Sequence, residues 1–224
     1  MRINQFVASS SGLSRRAADT AIAAGRVRIG AQTAALGATV TPGATVTLDG
    51  RPLVPVTAHR YVALNKPAGY VSSRARQSDQ PTLYALLPAQ CSALRIAGRL
   101  DTDSSGLVIL SDDGPFIQQL THPSFGKTKE YELTLTKALS PEDQAKLERG
   151  VVLKDGLSRL AVLRAIGSNV TVTIGEGRNR QLRRTFGALG YGVERLHRTR
   201  IGSYELGKLA SGQWRELPAP KVAS

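Results

Sequence analysis

The 224-residue chain has little of several things that mark common protein classes. Its one cysteine, Cys91, excludes an intrachain disulfide and the disulfide framework of many small secreted proteins. No apolar run approaches the roughly 20 residues that a membrane helix needs, and the first residues lack the apolar centre of a secretory signal. We therefore expect a cytoplasmic protein with no membrane association.

Metal-binding and nucleotide-binding patterns are scarce as well. The histidines His59, His122 and His197 are isolated, and none lies at ligand spacing from cysteine or carboxylates. No glycine-rich phosphate loop precedes a helix, so we expect neither a metal nor an organic cofactor. Cys91 has no histidine near it in sequence, which favours a packing or surface role over that of a nucleophile.

Acidic residues are fewer than basic ones, and the resulting net charge indicates what kind of partner the protein binds. The chain has 30 Lys and Arg against 17 Asp and Glu, which gives a net charge of +13. Such a charge predicts a polyanionic partner, and nucleic acid is favoured because no basic amphipathic helix indicates a membrane surface. The window 176–200 holds seven arginines and two glutamates, a net charge of +5, which predicts a phosphate-binding surface.

The first fifty residues predict a small domain of their own. Ser14 is a good N-cap for a helix over 15–24, and Gly25 ends it. Arg15 and Arg16 in the first turn oppose the helix dipole, which indicates phosphate contact, although a solvated basic face is the alternative. Prolines at 52 and 55 predict a linker, so we place a first domain at 1–52, the linker at 53–59, a second domain at 60–218 and a tail at 219–224.

The second domain is expected to be α+β. Short connections and few helices favour a mainly antiparallel sheet over a parallel, doubly wound one. The alternation of apolar residues predicts strands at 61–65, 107–111, 130–136, 161–165 and 170–174. Helices are predicted at 115–120, 141–149 and 181–189.

The most informative stretch runs from Gly98 to Leu107, GRLDTDSSGL. Asp101 precedes a hydroxyl-rich turn, and a short buried strand follows it, so the carboxylate is expected on a loop held by rigid structure. An aspartate in such a turn either accepts hydrogen bonds from the local backbone or serves a catalytic role. The ten residues alone leave both roles open.

Four stretches together resemble the pseudouridine synthases of the RsuA, RluB, RluE and RluF branch, in the order that this family has. They are LNKPAGYVS at 64–72, GRLDTDSSGL at 98–107, KTKEYEL at 127–133 and EGRNRQLRR at 176–184. The N-terminal residues are similar to the S4 RNA-binding domain. One departure is Ser104 where the family usually has threonine, the loss of a methyl group that we expect to be tolerated.

The resemblance implies an enzyme that isomerises uridine to pseudouridine in RNA, with ribosomal RNA as the expected substrate. It implies that Asp101 is the catalytic carboxylate, that Tyr131 stacks on a flipped-out base, and that Arg183 is the basic partner of Asp101. Whether Asp101 attacks C1′ or takes the 2′ proton is left open. The alternative is a non-catalytic RNA-binding or ribosome-assembly factor, which would have no use for these three residues together.

Further cations in these motifs are expected to contact RNA, and we expect the protein to act as a monomer. The expected RNA-binding residues are Arg15, Arg16, Lys66, Arg99, Lys129, Arg178, Arg180, Arg184 and Arg198.

Overall fold

The computed structural model describes residues 1–54, 56, 58–75 and 79–220. These form two compact units, one of residues 1–59 with 112–114 and one of residues 60–111 with the chain from Pro115 onward. Pro55 and Thr57 of the expected linker and residues 221–224 of the expected tail lie outside the described residues. Within the described ranges, no helix combines the length and apolar character needed to cross a bilayer.

The first unit packs two helices with a small antiparallel sheet. Its elements are α1 (Ile3–Ser11), α2 (Arg15–Ala23), β1 (Val27–Ile29), β2 (Gln32–Thr33), β3 (Val46–Leu48) and β4 (Arg51–Pro52). The strands follow the order β2-β1-β3-β4. Helix α2 begins as predicted, because the Ser14 hydroxyl accepts a hydrogen bond from the Ala17 amide at 3.1 Å. Ile3 and Val7 of α1 and Ile22 of α2 are buried in the core of this unit.

The second unit is built on a large mixed sheet. Its strands are β5 (Tyr61–Lys66), β6 (Arg95–Ala97), β7 (Ser105–Ser111), β8 (Lys129–Leu135), β9 (Val151–Leu153), β10 (Gly156–Ser158), β11 (Ala161–Ile166), β12 (Asn169–Ile174), β13 (Val193–Ile201), β14 (Tyr204–Glu205) and β15 (Trp214–Glu216). Its helices are α3 (Gly114–Thr121), α4 (Pro141–Arg149) and α5 (Gln181–Ala188).

The sheet order is β11-β12-β8-β13-β7-β5-β15, with β6 paired to β7 and β14 to β13, while β9 and β10 form a separate hairpin. Within this sheet, β7 and β13 run parallel and the other pairs are antiparallel. The expectation of an α+β fold with a mainly antiparallel sheet is confirmed.

Strands β5 and β7 are buried on both faces, which explains the unbroken apolar run 107–110. Val108 and Leu110 pack into the core that includes residues of α4 and α5, whereas Leu107 and Ile109 pack into the core that includes residues of α3. Alternate residues of a strand point to opposite faces, so the run serves both cores. Two buried cores therefore fix β7, and with it the end of the loop that carries Asp101.

Gly106 fixes the start of β7 against β13. Its φ is +108°, and a Cβ at this position would lie 2.3 Å from the carbonyl oxygen of Arg198. Only glycine combines that backbone angle with so close an approach of the neighbouring strand. The Asp101 loop therefore ends directly beside Arg198.

Candidate active site

A cleft of about 740 Å³ lies along one part of the second unit. Its walls come from the loop 98–104, from β8 and β13, and from the segment 174–182 that leads into α5. Asp101, Tyr131 and five of the residues expected to bind RNA line this cleft. Those five are Arg99, Lys129, Arg178, Arg180 and Arg198, and Ser104 of the Asp101 motif also lines it.

The Asp101 loop is held by backbone hydrogen bonds on both sides. The Gly69 amide donates to the Thr102 carbonyl at 2.8 Å, and the Ser104 amide donates to the Asp101 carbonyl at 3.1 Å. The Ser72 hydroxyl donates to the carbonyl of Leu100 at 2.7 Å. These contacts occupy backbone atoms, so they leave the Asp101 side chain, which is 32% exposed, free to face the cleft.

The structure corrects the expected fork of Arg183 on Asp101. Arg183 Nε lies 3.3 Å from Asp103 Oδ2, and its Nη2 donates to the Asp103 carbonyl at 3.0 Å. The cation nearest Asp101 is Arg180, whose Nη1 lies 3.8 Å from Asp101 Oδ2. Arg180 directs its side chain into the cleft, whereas Arg183 approaches the backbone and carboxylate of Asp103 from α5.

Asp103 was not expected at the site, and it organises both arginines. Its carboxylate accepts two hydrogen bonds from Arg180, at 3.2 and 3.0 Å. Burial raises the pKa of Asp103, but the hydrogen bonds from Arg180 and the charge of Arg183 outweigh burial and hold the pKa below its usual value. Asp103 is therefore ionised at neutral pH. Its position two residues after Asp101 was the only sequence signal for this role.

Tyr131 lies in β8 with its ring in the cleft wall and is only 7% exposed. Arg198 Nη1 donates to the Tyr131 hydroxyl over a long 3.4 Å, and the guanidinium carbon lies 5.9 Å from the ring centre. The structure thus brings Tyr131 and Asp101 to one cleft, as the sequence predicts.

Arg198 and Lys66 are buried, which corrects two expected RNA contacts. Arg198 is fully buried, and it donates to the carbonyls of Leu107 and Gly98, each at 2.8 Å. Both cations lie on strands that have a neighbour on each side, and the fold encloses their side chains. They stabilise the turns around the cleft.

The Lys66 ammonium is fully buried at the end of β5. It donates to the carbonyls of Pro67 at 2.8 Å and Tyr70 at 2.9 Å. Burial lowers the pKa of Lys66 to about 8, although the negative charges of Asp103 and Asp101 act in the opposite direction.

Arg178 and Arg184 converge on Asp155, at the turn of the β9–β10 hairpin. Both terminal nitrogens of Arg184 bind the Asp155 carboxylate, at 2.9 and 2.8 Å, and Arg178 Nη1 binds it at 3.0 Å. Gln181 supports the same segment, because its buried amide accepts from the Arg178 N–H at 3.0 Å and donates to the Ser158 hydroxyl at 3.0 Å. No pattern in the sequence indicated Asp155.

The remaining expected RNA contacts differ in exposure. Arg15 and Arg16 are exposed in the first turn of α2, and Arg99 is exposed at the cleft. Lys129 lines the cleft but is almost completely buried.

The arrangement of carboxylate, aromatic ring and surrounding cations in one cleft agrees with the comparison with known families. The model of the RNA pseudouridylate synthase family matches residues 60–188. The chain belongs to this family. It is an RNA pseudouridine synthase, an isomerase that converts uridine to pseudouridine, and the alternative of a non-catalytic RNA-binding factor is set aside.

Relatives match this pseudouridine synthase along its whole length. It is 39% identical to ribosomal small subunit pseudouridine synthase A of Yersinia pestis, and the match covers 100% of this chain and 97% of that protein. The protein of the same name from Escherichia coli K12 is 38% identical, with 100% of this chain and 99% of that protein covered. These matches confirm the RsuA-type resemblance.

A solved structure agrees as well. A crystal structure of a pseudouridylate synthase superposes with a TM-score of 0.70 at 32% sequence identity. The superposition covers 97% of this chain and 96% of the other.

Proposed function

We propose that this pseudouridine synthase modifies a uridine of ribosomal RNA in the small subunit, and that Asp101 is its catalytic group. The observation that carries the proposal is Asp101 itself, a partly exposed carboxylate on a rigid loop, in the same cleft as a buried tyrosine and several cations. The choice of RNA rests on the full-length relatives, which are named for the small ribosomal subunit. We further propose that the enzyme acts in the cytoplasm.

The reaction needs a group at the sugar and a surface that retains the base. Asp101 serves at the sugar, by attacking C1′ or by taking the 2′ proton, while the N1–C1′ bond breaks. Tyr131 offers its ring to the flipped-out uracil, and its phenol is available near the proton that leaves C5. Arg180 is held by its ion pair with Asp103, and its guanidinium also lies beside the Asp101 carboxylate. Arg180 therefore orients Asp101.

Exposed cations are available to bind the phosphates of the RNA backbone. Arg15, Arg16 and Arg99 are exposed, and phosphate contacts of this kind set register and affinity without reading sequence. In this proposal residues 1–52 form an S4-like RNA-binding domain, residues 60–218 carry the catalysis, and a single chain suffices.

Mapping pseudouridines in total RNA tests the proposal. RNA from cells with and without the gene should differ at one position of small-subunit ribosomal RNA, and purified protein should restore that position in RNA from the deleted cells. A difference confined to large-subunit or transfer RNA would contradict the proposed substrate. Asp101→Asn protein that restores the position as fast as wild type would contradict the proposed catalytic group.

A further inference from the structure

Lys129 is a buried cation in the cleft that has spare hydrogen-bonding capacity. The residue is 7% exposed, yet it lines the cleft. An ammonium group has three N–H donors. Among the residues that the structure describes, Lys129 Nζ has a single hydrogen bond, a long one of 3.5 Å to the carbonyl of Glu176.

Three other cations of the cleft already have close partners. Arg180 binds the Asp103 carboxylate through both terminal nitrogens, and Arg178 binds Asp155 at 3.0 Å. Arg198 donates to backbone carbonyls at 2.8 Å. A buried charged group with so few hydrogen-bond partners costs free energy unless a ligand supplies the missing ones. Of these four cations, Lys129 is therefore the one best suited to bind a ligand.

The position of Lys129 relative to Tyr131 indicates which part of the RNA it meets. Both residues lie in β8, two positions apart, where burial alternates along the strand, so their side chains point to the same face. Two residues of a strand span about 7 Å. A pyrimidine stacked on Tyr131 can bridge that separation with its ring and an exocyclic oxygen.

We propose that Lys129 is a catalytic residue whose ammonium donates a hydrogen bond to a carbonyl oxygen of the flipped-out uracil and stabilises the uracil anion. The inference rests on the proposed function of the cleft. When the N1–C1′ bond breaks, its electron pair stays with the uracil and spreads from N1 over the carbonyl oxygens. Lys129 keeps its proton throughout.

The remaining steps need no co-reactant. The uracil rotates, C5 bonds to C1′, the C5 proton leaves and N1 gains a proton, so the product is an isomer of the substrate. Because uracil is neutral before bond cleavage and anionic after it, a cation beside its oxygen binds the second state better than the first. The hydrogen bond from Lys129 should therefore raise the turnover rate more than the affinity for RNA.

The charge environment of Lys129 fits this role. Burial lowers the pKa of Lys129, and the positive charge of Arg198 lowers it further, while Glu176 acts in the opposite direction. Negative charge that develops on the uracil beside Lys129 offsets both effects. A backbone phosphate is the competing ligand, but phosphates are met by exposed cations such as Arg99, and burial of Lys129 disfavours that contact.

Lys129→Met and Lys127→Met form a matched pair for the test. Each removes one positive charge from the same segment, but Lys127 is exposed. The substrate is total RNA from cells that lack the gene, labelled with tritium at uridine C5, and tritium release reports turnover. We expect Lys129→Met to lower kcat by about 100-fold with KM within a few-fold, since loss of one donor to a developing anion has that size. Lys127→Met should match wild type.

Binding and leaving-group measurements separate the possible roles of Lys129. Salt dependence of RNA binding should be the same for Lys129→Met and wild type. A slope of log affinity against log salt that falls by about 0.7 would instead identify a phosphate contact and overturn the inference. The same comparison can be made on a transcript of the modified segment that contains 5-fluorouridine, whose base forms a more stable anion than uracil. On this RNA, the ratio of the wild-type rate to the Lys129→Met rate, measured as loss of the target nucleoside, should be clearly smaller. An equal ratio on both RNAs would assign Lys129 a structural role.

The two proposals fail in different ways. Wild-type protein that modifies RNA outside the small ribosomal subunit contradicts the proposed substrate and leaves the Lys129 comparison intact. Wild type and Lys129→Met that turn over equally contradict the inference alone.

Discussion

Two sets of arginines that look alike in the sequence differ in how the fold holds them. Arg15 and Arg16 begin α2 and are exposed, and no ion pair engages them among the described residues. Arg178, Arg180 and Arg184 each bind a carboxylate at about 3 Å. The first set is available to RNA, whereas the second is largely used by the protein itself.

This difference shows what a charge count can and cannot tell. The net charge of +5 over 176–200 indicates a phosphate-binding surface, but Asp103 and Asp155, which lie outside that window, neutralise much of it. Partly exposed ion pairs contribute little stability, typically about 0–1 kcal/mol each. We infer that the pairs matter chiefly because they position the loops on either side of the cleft.

The largest effect should come from Arg198, a large cation that the fold encloses completely. Arg198→Lys should lower the free energy of unfolding by about 2–4 kcal/mol, because one ammonium cannot replace hydrogen bonds to both Leu107 and Gly98. Urea denaturation measures the change. Arg195→Lys on the exposed side of the same strand is the control, with an expected change below about 0.5 kcal/mol. Equal changes in the two variants would show that burial of Arg198 does not matter.

Arg183 should show the next largest effect. Arg183→Lys keeps the charge but loses the fork that binds Asp103 and the Val193 carbonyl, so the Asp101 loop should loosen. We expect kcat to fall by roughly 10- to 100-fold, in line with the sensitivity of catalysis to small displacements. Tritium release measures it, with Arg195→Lys, at an exposed position of β13, as the control. Activity within two-fold of wild type would place Arg183 outside the support of the loop.

The smallest effect should come from the exposed pair in α2, and it should appear in binding alone. Exchange of both Arg15 and Arg16 for alanine should leave kcat and the free energy of unfolding unchanged. The slope of log affinity against log salt should fall by about 1.4 if each contacts a phosphate of single-stranded RNA. Filter binding at several salt concentrations measures the slope. An unchanged slope would mean that α2 presents a solvated face and does not contact RNA.

Much of the fold was predictable because its signals are local. Helix α2 has a serine cap and a glycine stop, and the predicted bounds of α4, 141–149, agree with those observed. Helix α1 was missed, since Arg2 provides no capping hydrogen bond and the helix ends in a run of serines. Strand β13, the longest strand among the described residues, was missed because its arginines indicated an RNA-binding surface and obscured the strand pattern.

The pairings within the site were harder to predict than its members. The motifs named Asp101, Tyr131 and Arg183, and two of these three line one cleft. Which carboxylate meets Arg183 depends on how α5 approaches a loop about 80 residues earlier in the chain, as the contact of Arg183 with Asp103 shows. Burial of Lys66 and Arg198 was likewise a consequence of sheet order, which the sequence does not encode locally.

The central claim is that Asp101 performs the chemistry at the sugar, and Asp101→Asn tests it most directly. The change is nearly isosteric, so affinity for RNA and the free energy of unfolding should stay close to those of wild type. Single-turnover tritium release should fall by at least about 1,000-fold, the scale seen when a catalytic group is removed. Release within ten-fold of wild type, with affinity and folding intact, would contradict the account.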